Sequence, residues 1–256
     1  MCAQFVKLDV KDYVGTVTLD RPPVNALNNA LREELIATFD AVSDRDDIRV
    51  AILTGAGKNF CAGADLKDRP NVGEPGAYGR HNRVTRETTN AIRECQKPVI
   101  AAVNGAALGA GLGLMAACDI LLASENAVFG MPEINVGLAG GATTLRTLFG
   151  RSRMRRMLFT GHRVPAAELY RVGIVECCAP RERLMDEAMA IADDIANKSP
   201  LGIKYAKISC NLTELTPSRE VYRFEQGYTV ELAKTEDARE AKQAFLEKRK
   251  PEFKGR

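Results

Sequence analysis

One glutamate and two glycine-rich turns are the residues in this sequence whose types and spacing suit chemistry. The run Phe129-Gly130-Met131-Pro132-Glu133-Ile134 sets a single carboxylate among apolar neighbours. Loss of hydration there raises a carboxyl pKa and fits the group for moving protons near neutral pH. One turn, FCAGADLK at 60–67, follows a strand-like run; the other, Gly109-Ala110-Gly111-Leu112-Gly113, opens an apolar helix. Small residues at such a turn leave unpaired backbone N–H groups open to an approaching oxygen. Two of them side by side offer two donors to one developing oxyanion, a large catalytic term in acyl chemistry. Each turn alone reads equally well as tight sheet packing, and Glu133 alone as an ordinary acid in a first helical turn.

These residues need elements to position them. Val14–Leu19 is β-branched enough for a strand and ends at the turn Arg21-Pro22-Pro23. Asn28 caps a helix running to Val42, with Leu31, Leu35, Phe39 and Val42 at helical spacing. Residues 49–53 and Val99–Val103 are further strands, each leading into one of the glycine turns, and 114–118 is the helix after the second. Another strand is expected within 119–129, with Asp119 at its start in a structural role. This strand, helix, strand rhythm argues an α/β architecture. Residues 68–84 are polar, rich in Gly and Pro and without a period, so they read as a mobile loop before a helix near 85–95. After Gly150 the writing turns helical, with segments at 151–160, 166–171, 184–197, 200–212, 218–234 and 236–248.

Composition removes other classes. At 256 residues, 45% hydrophobic and 27% charged, the chain has ample apolar material for a core. A net charge of +3 is too small to point to nucleic acid as a partner. The basic run Arg151 to Arg156 reads more simply as the solvated face of a helix. The N-terminal MCAQFVKLDVKDYV lacks a targeting pattern, and no run approaches a membrane span, so a cytoplasmic protein is expected. Seven scattered cysteines suit reduced thiols, and two histidines without metal-ligand spacing predict no metal. Cys61 sits in the first turn with no histidine nearby in sequence and is not read as a nucleophile.

Several ordered blocks together resemble the enoyl-CoA hydratase/isomerase (crotonase) superfamily: FCAGADLK at 60–67, KPVIAAVNGAALGAGLGLMAACDILLA at 97–123 and FGMPEINVGLAGG at 129–141. The similarity runs from RPPVNAL at 21–27 to FLEKRKPEFKG at 245–255. It implies a spiral of β-β-α units spanning 1–195, then a helical region at 196–256 whose surfaces form a homotrimer or dimer of trimers. It implies an acyl-CoA thioester as substrate, with no separate cofactor and an oxyanion hole from the N–H groups of Ala64 and Ala110. Coenzyme A is implied along Ala62, Ala64, Asp65, Leu66 and Lys67, with Val24, Ala26 and Leu27 nearby. Phe245 and Lys248 approach the nucleotide, commonly from a neighbouring subunit; Lys67 and Lys248 would meet phosphates, though a solvated tail explains Lys248 equally well. The resemblance also sets Tyr78 and His81 beside the acyl group, where the plainer reading is an exposed loop.

Glu133 matches one of the two glutamates that hydratases of this family hold around the substrate. The position of the other is Gly113. Adding water across a double bond normally uses both carboxylates, whereas shifting a double bond needs one base, as in the isomerase branch. The extra aspartates of dienoyl-CoA isomerases are missing, with glycine at 113 and 141, and the Pro-Gly-x-Gly-Gly element of many hydratases is absent. Double-bond isomerisation through an enolate is therefore the favoured expectation. Hydration or dehydration in acyl-CoA catabolism, and a non-catalytic acyl-CoA-binding protein, are the alternatives.

Overall fold

The computed structural model describes residues 4–71, 74–214 and 218–256. Its elements run β1 (Val6–Lys11), β2 (Val14–Leu19), α1 (Asn29–Asp44), β3 (Val50–Gly55), α2 (Ala77–Arg93), β4 (Val99–Val103), β5 (Ala107–Leu108), α3 (Ala110–Ala116), β6 (Ile120–Ser124) and β7 (Val128–Gly130). They continue with α4 (Ala142–Leu148), α5 (Arg151–Thr160), β8 (Val164–Pro165), α6 (Ala166–Arg171), β9 (Cys177–Ala179), α7 (Leu184–Ala196), α8 (Pro200–Thr213), α9 (Ser218–Ala233) and α10 (Glu236–Glu247).

The main sheet has the order β1-β2-β3-β4-β6-β9, and a small one the order β5-β7-β8. β1 pairs antiparallel with β2; the remaining pairs of the main sheet are parallel, with Gly15 opposite Ala51 and Ile52 opposite Ile100. Parallel strands buried on both faces read as unbroken apolar runs, which is how VAILTG and VIAAV read. Alternation still sorts them: Ala51, Leu53, Ala101 and Val103 face the larger core with α1, while Val50, Ile52, Ile100 and Ala102 face α7. Ala188, Ala192 and Ala196, four apart on α7, present a small-residue stripe that lets this helix lie close on the sheet.

Asn28 caps α1 as expected, its side chain accepting from the Leu31 N–H. The C-terminal helices also fall where the sequence sets them, to within about two residues. The tail is tied back: Arg49 donates to the carbonyls of Ala196 and Phe253, and buried Asp237 accepts from Lys254 N, Gly255 N and the Ser199 hydroxyl.

Three expectations need correction. The helix expected near 85–95 is α2 and begins at Ala77, so Tyr78 and His81 stand on a helix and not on a loop; residues 72–73 of the expected loop lie outside the described residues. The helix expected at 114–118 starts at Ala110, directly in the glycine turn. The strand expected within 119–129 is two strands, β6 and β7, separated by a turn. Asp119 has the structural part given to it: its carboxylate accepts from Val99 N and pairs at 2.8 Å with buried Lys207.

Candidate active site

The two glycine turns pack directly against each other. Cys61 N donates to Ala106 O and Leu108 N to Cys61 O, each at 3.0 Å, in a parallel bridge between Cys61 and Ala107. The contact has no spare room: a Cβ on Gly111 would lie 2.2 Å from the Cys61 carbonyl oxygen, and one on Gly63 would lie 2.9 Å from that of Leu108 and 3.7 Å from Ala110 N. Ala64 and Ala110 are thereby held side by side. Ala110 is the first residue of α3, so its N–H has no intrahelical acceptor. Neither it nor the Ala64 N–H donates to any group among the described residues.

The segment 21–27 is stitched to the first turn. Ala62 N donates to Val24 O, Leu27 N to Gly63 O and Asp65 N to Leu27 O. Arg21 donates to the Ala26 carbonyl and pairs at 2.7 Å with Asp65, whose carboxylate also caps the Lys67 N–H. These contacts hold the Asp65 carboxyl below the usual range. The structure thus brings together Val24, Ala26, Leu27, Ala62, Ala64, Asp65, Leu66 and Lys67, with Leu66 and Lys67 exposed beside them. Within the single chain it does not bring Phe245 and Lys248 to this place: Phe245 is 82% exposed, and Lys248 ends α10 in a left-handed conformation.

Beside Ala110 a cavity of about 270 Å³ opens, with α1 and α2 on one side and α3 and the 131–144 segment on the other. Glu133 projects into it from the short 3-10 turn that follows β7. Gly109, at φ 52° and ψ −121°, lets the carboxylate come close, since a Cβ there would stand 2.5 Å from Glu133 Oε1. That backbone region is essentially closed to other residues. Oε2 is buried and has no hydrogen-bond partner among the described residues. Burial raises the Glu133 pKa, opposed only by a hydrogen bond from backbone. A carboxylate of this kind is able to carry a proton, and it shares the cavity with Ala110, whose N–H donates to no group among the described residues.

Gly113, one turn into α3, lines the same cavity. A Cβ there would meet nothing closer than Thr89 Cγ2 at 3.8 Å, so the place of a second carboxylate is open space. Cys61 is buried and its thiol is pushed up to about 12, which agrees with reading it as inert. Among the described residues no His, Cys, Asp or Glu cluster is arranged to hold a metal, and no helix is long and apolar enough to cross a membrane. The described cysteines are free thiols.

Reading the sequence alone missed part of the cavity lining: Arg32 from α1, and Thr85, Arg86, Thr88 and Thr89 from α2. A charge between Leu31 and Glu33 looks like part of a solvated face. Yet Arg32 stands three residues before Leu35 and seven before Phe39, on the edge of the apolar stripe, and that spacing was the available signal.

Residues 9–256 match the enoyl-CoA hydratase/isomerase family. A probable mitochondrial enoyl-CoA hydratase of Dictyostelium discoideum is 38% identical over 245 residues, 94% of this chain and 87% of that protein. A (7aS)-7a-methyl-1,5-dioxo-2,3,5,6,7,7a-hexahydro-1H-indene-carboxyl-CoA hydrolase of Rhodococcus jostii is 39% identical over 243 residues, 94% of this chain and 93% of that one. The crystal structure of an enoyl-CoA hydratase from Bacillus anthracis superposes with a TM-score of 0.92 at 35% identity, covering 99% of this chain and 100% of the other.

Proposed function

The chain belongs to the enoyl-CoA hydratase/isomerase family and is an enzyme of acyl-CoA chemistry, and we propose that within it the protein moves a double bond of an enoyl-CoA thioester by single-carboxylate proton transfer. The thioester carbonyl oxygen lies between the N–H groups of Ala64 and Ala110. Glu133 takes a proton from the carbon next to that carbonyl, the charge moves onto the oxygen as an enolate, and the two donors stabilise it. Glu133 then returns the proton two carbons further along, and the double bond comes into conjugation. Proton and electron pair are both conserved, so no other reactant is consumed.

The observation that carries this reading is a lone Glu133 in the cavity with Gly113 facing open space. A raised pKa suits a group that must both accept and give a proton. Coenzyme A is proposed to lie along Ala26, Ala62 and 64–67 as part of the substrate, with no separate cofactor. Residues 196–256 are proposed as a helical region beyond the 1–195 core, through which copies assemble as a trimer or dimer of trimers. Exposed Tyr222, Val230, Phe245 and Leu246 on α9 and α10 support that assembly, with Phe245 and Lys248 reaching a neighbour's nucleotide. Free thiols support a reducing compartment such as the cytoplasm.

The names of relatives favour a second reading. Those called hydratases add water, and a water held by the Thr85 or Thr89 hydroxyl would replace the second carboxylate. Incubation with matched 2-enoyl-CoA and 3-enoyl-CoA esters, read by mass and double-bond position, separates the two. Isomerisation without mass change supports the proposal. Gain of one water without a shift of the bond overturns it in favour of hydration.

A further inference from the structure

The cavity holds a charge that the proton transfer does not use. Arg32 is 2% exposed, and among the described residues its guanidinium makes one hydrogen bond, from Nη1 to the Leu27 carbonyl at 2.9 Å. It forms no ion pair among the described residues. The acids nearest in character are engaged elsewhere: Asp65 with Arg21 and Lys67 N, and Asp68 with the Asn29 N–H at 2.6 Å. Burial lowers the Arg32 pKa, and only longer-range attraction to Asp68, Cys61 and Asp65 opposes it. Arg32 lines the same cavity as Glu133.

A guanidinium this deeply buried and outside any ion pair is expensive, and such a group persists where a partner completes it. Two groups on the neighbouring helix have no hydrogen-bond partner among the described residues: Thr85 Oγ1, which lines the same cavity, and His81 Nδ1, one turn earlier on α2. Arg32 and Arg69 both act to lower the His81 pKa, which places this histidine within electrostatic reach of the guanidinium. A planar fork of donors with a hydroxyl next to it matches the two oxygens of a carboxylate.

We propose that Arg32 and Thr85 form a receptor for a carboxylate at the far end of the acyl group, so that the preferred substrate is the coenzyme A half-thioester of a dicarboxylic acid. The inference rests on the proposed acyl-CoA chemistry at Glu133 and names its substrate class. Arg32 acts here on specificity; the bonds made and broken are those already described.

The test compares 3-hexenoyl-CoA with 5-carboxy-3-pentenoyl-CoA, which differ at the terminal carbon alone, in the full-length protein and in Arg32→Met. Ester consumption is followed whatever the product. The wild type should favour the carboxylated ester by at least about tenfold in kcat/KM, the value of one charge-assisted hydrogen-bonded contact. Arg32→Met should abolish that preference, mainly through KM, while leaving 3-hexenoyl-CoA turnover within about threefold. Equal loss on both esters would make Arg32 a brace for the Leu27 carbonyl and overturn the receptor, as would a wild type without preference. Binding of the saturated esters adipyl-CoA and hexanoyl-CoA decides the matter apart from turnover. If neither unsaturated ester reacts, the chemistry at Glu133 is wrong, and Arg32 stands or falls on whether adipyl-CoA binds about tenfold tighter than hexanoyl-CoA. Should Arg32→Met not fold, Thr85→Val with Arg32→Lys carries the same comparison: a smaller preference supports the receptor, and an unchanged one overturns it.

Discussion

The cavity has two walls of different make. One is backbone: Gly109 and Ala110, in a turn against which the 60–67 turn packs so closely that a Cβ on Gly63 or Gly111 would collide with a carbonyl oxygen. The other is side chain: Arg32 from α1, with Arg86 and three threonines from α2. Backbone donors held this way have little freedom to vary, because their positions follow from strand and turn geometry. A side-chain wall can change identity without moving the fold. Under the proposed function the general chemistry belongs to the first wall and to Glu133, and under the proposed receptor the choice of acyl group belongs to the second.

Four predictions break or sharpen this division. The largest effect is expected of Glu133→Gln, which keeps the shape and removes the ionisable group; turnover should fall by about 10²–10⁴. A folded variant with near-normal turnover would remove Glu133 from the mechanism. Next is Gly109→Ala. Its methyl group would collide with Glu133 Oε1 in a backbone region reserved for glycine. It should lose about 10² in kcat through displacement of the carboxylate, with about 1–3 kcal/mol of stability, read by denaturant unfolding. On the opposite wall, Thr85→Val should leave kcat for isomerisation of uncharged esters within about twofold, because the proposed proton transfer runs through Glu133 alone, and a change as large as that of Gly109→Ala would dissolve the distinction between the walls.

The smallest effect is one of pH. Glu133 has a folded-state pKa raised by burial. Its contribution to stability is therefore present below the unfolded carboxylate pKa and lost as pH rises through the folded value. At neutral pH the ionised side chain burdens the fold, so Glu133→Gln should raise Tm there, and the gain should disappear in acid. The same shift sets the acid limb of the wild-type kcat/KM profile above the ordinary carboxylate range, with activity rising as Glu133 ionises. Scanning calorimetry of the two proteins at several pH values checks the first statement, and steady-state rates check the second.

How far the sequence reveals this arrangement follows the same division. The glycine turns, Glu133 and the capped helix α1 are legible because each depends on residues close in sequence: Asn28 caps α1 through a bond to Leu31 N. The C-terminal helices are legible from their periodicity. Only the second half of α2 is, since its first half, 77–84, buries Ala77 alone and shows no apolar stripe. β1 alternates charged and apolar residues at the sheet edge, where exposure thins the hydrophobic signal. Arg32 is hidden for a different reason: whether a charge at a stripe edge meets solvent or a cavity is decided by α2, which is distant in sequence. Cavity-lining charges of this sort become visible when tertiary packing is known.

The central claim is that one carboxylate moves the proton. It is tested most directly by exchange in D₂O, following the hydrogens next to the thioester carbonyl of a saturated acyl-CoA in the wild type and in Glu133→Gln. The account predicts deuterium uptake by the wild type and its loss in the variant while the ester still binds. Uptake at equal rates in both proteins would contradict it, since another group would then be carrying the proton.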